Sequence, residues 1–221
     1  MQVELEGKII NFLGDSITEG HGVTYPDNIY TARMGRMCNF KRVNNYGIGG
    51  TRYARQMKPT VGNEKFDQDF CMRATQMDKD ADIVVVMGGT NDFGHGDAPI
   101  GVPTDRTPDT FWGACHYLMS TLITTYPNAV IVICTPIHRL TEDIPTGDNK
   151  PAPVGTLRDY VNIIRTVAEY YALPVCDLFA TSGLQPRLDD VRERLVPDGL
   201  HPNDAGHKRL AERLTGFLRA L

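Results

Sequence analysis

Ile83-Val84-Val85-Val86-Met87-Gly88-Gly89-Thr90-Asn91-Asp92 decides how the chain must fold. Five consecutive aliphatic residues, three of them valine, read as a strand buried on both faces, and the glycine pair ends it. A strand buried on both faces belongs in a parallel sheet covered by helices on each side.

Three more runs have the same character. They are Ile9-Ile10-Asn11-Phe12-Leu13, Val130-Ile131-Val132-Ile133-Cys134 and Leu173-Pro174-Val175-Cys176, with a weaker strand over Arg42 to Tyr46. Helical stripes lie between them. Thr110 to Tyr126 carries Phe111, Ala114, Cys115, Leu118, Leu122 and Ile123 and stops at Pro127, and Leu157 to Tyr171 repeats the pattern. A last helix places Leu210, Leu214, Phe217, Leu218 and Leu221 on one face, with Asn203 or Asp204 as its cap. Strands alternating with helices predict one α/β domain over residues 1–221, whose ligands bind beyond the carboxyl ends of the strands. Two long segments, Gly88 to Pro108 and Pro136 to Thr156, leave strands on that side and read as functional loops.

Composition excludes several classes. A net charge of −4 over 221 residues supplies no basic footprint for nucleic acid, and acids interleave the basic runs near the carboxyl end. No apolar run is long enough to cross a membrane as a helix. The five cysteines, at 38, 71, 115, 134 and 176, form no zinc-ligand or CxxC pattern. Their odd number, together with an amino-terminal stretch unlike a signal peptide, sets the expectation of a reducing, cytoplasmic environment.

Four islands carry chemistry. Gly14-Asp15-Ser16-Ile17-Thr18-Glu19-Gly20 puts a serine on the turn leaving the first strand. Asn45-Tyr46-Gly47-Ile48-Gly49-Gly50-Thr51 lets a backbone approach a ligand with no Cβ in the way. Gly88-Gly89-Thr90-Asn91-Asp92 aims an amide into the cleft, and Asp198-Gly199-Leu200-His201-Pro202 lets a carboxylate fold back on an imidazole. Taken singly, each has an ordinary structural explanation: a helix-capping Ser, a tight turn, an Asx turn, a helix-entry turn. The ordered set at strand ends does not. His207 is the competing base, but it falls inside the last helix.

The four islands together resemble the SGNH (GDSL) hydrolase superfamily, whose blocks are a GDS serine, a glycine, a G-x-N-D asparagine and a D-x-x-H pair. They occur here in family order between residues 14 and 201. The resemblance implies a flavodoxin-like three-layer α/β/α sandwich with five parallel strands. It implies Ser16 as nucleophile, His201 as base, Asp198 as the acid that orients it, and no cofactor or metal. The oxyanion donors it implies are the N–H groups of Ser16 and Gly50 and the amide of Asn91. Gly50 fits the family spacing from Asn45 best, and Gly49 is the alternative donor.

The expected activity is hydrolysis of a small-molecule or carbohydrate ester, with a short acyl group, acetyl, on a polar carrier. The alternatives are a lysophospholipase or thioesterase acting on longer chains, and a non-catalytic binding protein of the same fold. A metal-dependent hydrolase would have to draw ligands from Asp15, Asp92, His95, Asp97 and His201, without a recognisable ligand cluster. Phe93, His95, Asp97, Arg106, Trp112 and Arg139 are candidates to face the cleft, although a structural role is the commoner one for each.

Overall fold

The structure is a computed structural model and describes residues 4–221. Five strands, β1 (Ile9–Gly14), β2 (Arg42–Gly47), β3 (Ile83–Met87), β4 (Val130–Cys134) and β5 (Val175–Cys176), form one sheet in the order β2-β1-β3-β4-β5. Every pairing is parallel. This is the flavodoxin-like order, and the expected α/β/α sandwich is what the chain builds.

Alternation along the strands explains the two helical layers. Val84, Val86, Ile131 and Ile133 point to one face and pack with α5 (Phe111–Thr125) and α6 (Leu157–Tyr170). Ile10, Phe12, Val85 and Val132 point to the other, against α2 (Tyr30–Cys38) and α9 (Asp204–Ala220). The period of two thus buries both faces of β1, β3 and β4 without a polar residue among them, Asn11 excepted, whereas the edge strand β2 is polar and partly exposed. Asn11 is fully buried and satisfied: its amide donates to Asp78 O at 2.8 Å and its carbonyl accepts from Asn44 at 2.8 Å.

Helix ends follow local chemistry. The Thr110 hydroxyl accepts from Gly113 N–H and starts α5, and Thr156 with Asp159 forms a capping box on α6. Asn203 caps α9 through Ala205 and Gly206 N–H, whereas Asp204 accepts instead from Thr24 N–H.

Three expectations need correction. The last strand is only Val175–Cys176, because Pro174 has no N–H to offer the ladder. Leu221 lies past the end of α9 and is exposed rather than part of its buried face. The segment from Gly88 does not begin as loop: Thr90–Gly94 forms a short helix, α4, directly after β3. Among the described residues no helix is long and apolar enough to cross a membrane, and all five cysteines are buried and free.

Candidate active site

From β1 the chain continues to β2 on one side and then returns to β3 on the other, so the carboxyl ends of β1 and β3 diverge into a crevice. Ser16 and Asn91 stand at its two lips. Ser16 opens α1 (Ser16–Glu19), where the buried Asp15 accepts from Ile17 N–H at 3.0 Å and holds the turn. Gly14 is needed there, since a Cβ would collide with the Thr18 side chain. Burial raises the Asp15 carboxyl to about 7, against the pull of that hydrogen bond.

Opposite lies the segment between α8 (Asp189–Leu195) and α9. Gly199, at φ +79°, turns the chain so that Asp198 folds back on His201. Asp198 Oδ1 accepts from the backbone N–H groups of Leu200 (2.9 Å) and His201 (2.7 Å), and Oδ2 lies 2.7 Å from His201 Nδ1. A carboxylate only accepts, so Nδ1 carries the proton and Nε2 is left with a lone pair. Ser16 Oγ is 3.0 Å from that Nε2, placed to donate to it.

Burial lowers the His201 pKa below its usual value, and the Asp198 contact offsets this only in part. Burial alone would push the Asp198 carboxyl up, but hydrogen bonds from the His201 backbone and ring outweigh it and the net shift is downward. At neutral pH the imidazole is therefore neutral and the carboxylate charged. A hydroxyl, imidazole and carboxylate in this order can strip the serine proton and then return it to a leaving group.

Hydrogen-bond donors face the same space. Asn91, nearly buried in the first turn of α4, gives one amide hydrogen to Thr51 O at 2.9 Å. A second amide hydrogen remains. Gly49 N–H is already committed, to Glu19 Oε2 at 2.9 Å. Gly50, at φ +78°, has an N–H with no partner among the described residues. A side chain there would run into the Phe66 ring. The two glycines left open by spacing therefore differ in availability.

The cleft over Ser16 has a volume of about 370 Å³. Its further walls are His21, Asn63, Lys65, Phe66, His95 and Asp148. Most of these escaped the sequence reading. The His21 ring stands 4.1 Å from that of His201, and His21, Asp198 and His201 bring their ligand atoms within 4.8 Å of one another.

Of the six residues named as cleft candidates, only His95 lines it. Phe93 is core, Trp112 packs against the core, Arg106 lies over Tyr170, and Asp97 accepts from Met57 and Lys58 N–H. Arg139 is buried behind the wall, donating to Thr90 O at 3.3 Å and paired with Asp148.

The five residues considered as metal ligands are likewise dispersed. Asp92 accepts from Tyr53 and Ala54 N–H (3.0 and 2.9 Å), Asp15 is occupied at its turn, and Asp97 is outside the cleft, so the five residues do not converge. His207 is fully buried, with Nδ1 accepting from Tyr30 N–H at 3.1 Å, and does not reach the cleft.

A five-stranded parallel α/β/α sandwich with GDS, G-x-N-D and D-x-x-H segments at the carboxyl ends of its strands defines the GDSL class of proteins. The chain belongs to the GDSL-like lipase/acylhydrolase family, which it matches over residues 12–209. A GDSL lipase of Mycobacterium tuberculosis is 30% identical over 152 residues, a stretch covering 68% of this chain and 55% of that protein. The chain thus spans about half the length of this curated relative. A Lactobacillus plantarum protein of known structure is 27% identical with a TM-score of 0.83, covering 97% of this chain and 98% of that one. A two-domain esterase active on acetylated mannans has the same fold, at 22% identity and a TM-score of 0.64, over 97% of this chain and 49% of that one.

Proposed function

We propose that the protein is a serine ester hydrolase that removes a short acyl group, acetyl, from a polar carrier such as a carbohydrate. The observation that carries this reading is the unbroken hydrogen-bonded chain Ser16 Oγ, His201 Nε2, His201 Nδ1, Asp198 Oδ2, opening on a cleft.

In this reading His201 accepts the Ser16 proton as Oγ bonds to the ester carbon. The carbonyl oxygen becomes an oxyanion, held by the Ser16 and Gly50 N–H groups and the free amide hydrogen of Asn91. Asp198 keeps His201 in the required tautomer and stabilises the imidazolium. The protonated His201 then gives its proton to the departing alcohol, and the carbon–oxygen bond to the carrier breaks. Water, deprotonated by His201, attacks the acyl-enzyme; the acid leaves and Ser16 recovers its proton.

The cleft wall supports the short-chain, polar-carrier half of the reading. Glu19, Asn63, Lys65, His95 and Asp148 all contribute to it, and its larger apolar side chains are Phe66 and Leu200. A bound long acyl chain gains about 0.8 kcal/mol per buried methylene only where apolar surface continues along it. The related fold active on acetylated mannans agrees with this choice.

The test is catalytic efficiency on acetyl, butyryl, octanoyl and palmitoyl p-nitrophenyl esters below their micelle concentrations. Efficiency should peak at acetyl or butyryl. A steady climb through octanoyl would instead indicate a lysophospholipase- or thioesterase-type activity.

A further inference from the structure

His95 is held in one chemical state by a residue that the acyl-transfer reading does not use. Arg52 is buried to within 2% of full enclosure, and its Nη1 lies 3.1 Å from His95 Nδ1. A guanidinium only donates, so Nδ1 must accept and the ring proton must sit on Nε2. Burial, reinforced by the nearby Arg52 charge, lowers the His95 pKa to about 4, so the ring is neutral at physiological pH.

The same arginine builds the wall opposite. Its Nη2 donates to Phe66 O and to Asp67 Oδ1, both at 3.0 Å, and Asp67 in turn accepts from Thr60 N–H and Oγ1. One buried cation thereby fixes both His95 and the Phe66 segment. The two rings are 5.9 Å apart across the cleft wall.

His95 also has the right address. It caps the carboxyl end of α4, and its N–H donates to Asn91 O at 3.0 Å. His95 and Asn91 both line the cleft, so His95 extends the donor array one turn of chain beyond Asn91. Its Nε2–H has no partner among the described residues, while the ring lines the cleft. Facing the open cleft as a neutral ring, it can exchange water for a ligand oxygen at that one atom.

We propose that His95 Nε2–H is the donor that selects the carrier, by hydrogen bonding to a hydroxyl oxygen of a carbohydrate whose ring lies against Phe66. This rests on the polar-carrier reading above and adds its recognition element. Because the ring does not titrate near neutrality, His95 discriminates substrates without adding a pH dependence of its own.

The test compares kcat/KM for a monoacetylated methyl glucoside with that for p-nitrophenyl acetate, in wild type, His95→Leu and His95→Gln. The two esters share the acyl group and differ in the carrier. The glucoside-to-phenyl ratio should fall about tenfold in His95→Leu, mainly through KM, as expected for one hydrogen bond. His95→Gln, which keeps an amide donor, should recover part of it. Nitrogen-15 NMR of the wild type at pH 7 should show His95 as the Nε2–H tautomer, a readout independent of any variant's folding. An unchanged ratio with glucoside turnover intact, or the Nδ1–H tautomer, overturns the assignment of His95 alone. A wild type that cleaves p-nitrophenyl acetate but no acetylated sugar overturns the carrier reading and this assignment with it.

Discussion

Glu19 and Gly49, thirty positions apart in sequence, are joined by a 2.9 Å hydrogen bond from the glycine N–H to Oε2 of the carboxylate. The bond ties the loop after β2 to the helix that begins with Ser16. It consumes the Gly49 N–H and leaves its neighbour at Gly50 free to face the cleft. Glu19→Ala should therefore loosen the loop and lower kcat, on the order of tenfold, since hydrogen bonds to charged groups contribute about 1.5–3 kcal/mol and this carboxylate is open to solvent. Glu19→Gln keeps an acceptor and should be milder. Steady-state rates on p-nitrophenyl acetate decide it; an unaltered kcat in Glu19→Ala would mean the loop needs no such tether.

Asn91→Ala should cost more in turnover than in binding. One oxyanion donor is worth about 10²- to 10³-fold in kcat where others remain. The same change frees the Thr51 carbonyl that Asn91 caps, so thermal unfolding should be measured alongside. A loss of turnover fully accounted for by unfolded protein would remove Asn91 from the donor set.

The pH dependence has a defined sign. The active form of His201 is neutral, and burial lowers its pKa below the usual 6.5. Catalytic efficiency should therefore rise with pH through a single group titrating below 6.5 and be flat through neutrality. An acid limb centred above 6.5 would contradict this.

His207 separates stability from catalysis. Its Nδ1 satisfies the buried Tyr30 N–H, so His207→Ala should destabilise the protein by about 1–3 kcal/mol or more, through the orphaned donor and the cavity. Ester turnover by the folded fraction should stay within a few-fold of wild type. Burial lowers the His207 pKa to about 4, which disfavours its charged form in the folded state. Its stabilising contribution is therefore complete above pH 6.5 and declines as pH falls towards 4. The stability gap between wild type and variant, from denaturant melts, should shrink over that interval; a gap that widens on acidification would contradict a buried neutral ring.

The sheet was legible in the sequence because burial on both faces leaves unbroken aliphatic runs such as Ile83 to Met87, whose β-branched residues, short length and closing glycines mark a strand rather than a buried helix. The weak points were local. Val175–Cys176 is short because Pro174 interrupts pairing, and α4 hides in a glycine-rich segment that reads as loop. The meeting of Ser16, Asp198 and His201 was legible through their motifs, which sit on turns that bring the three side chains together. His21, Asn63, Lys65 and Phe66 were not legible. They reach the cleft through Arg52, Asp67 and other long-range contacts, which leave no periodic trace in the chain. Arg52 itself looks like any surface arginine until its burial is seen.

Ser16 is the nucleophile of the proposed reaction. The most direct test of that role is the site of reaction with a fluorophosphonate, located by peptide mass spectrometry on folded protein while residual esterase activity is followed. One adduct is expected, on Ser16, forming in step with the loss of activity. An adduct on another residue with Ser16 unmodified, or full activity with Ser16 fully labelled, would contradict that role.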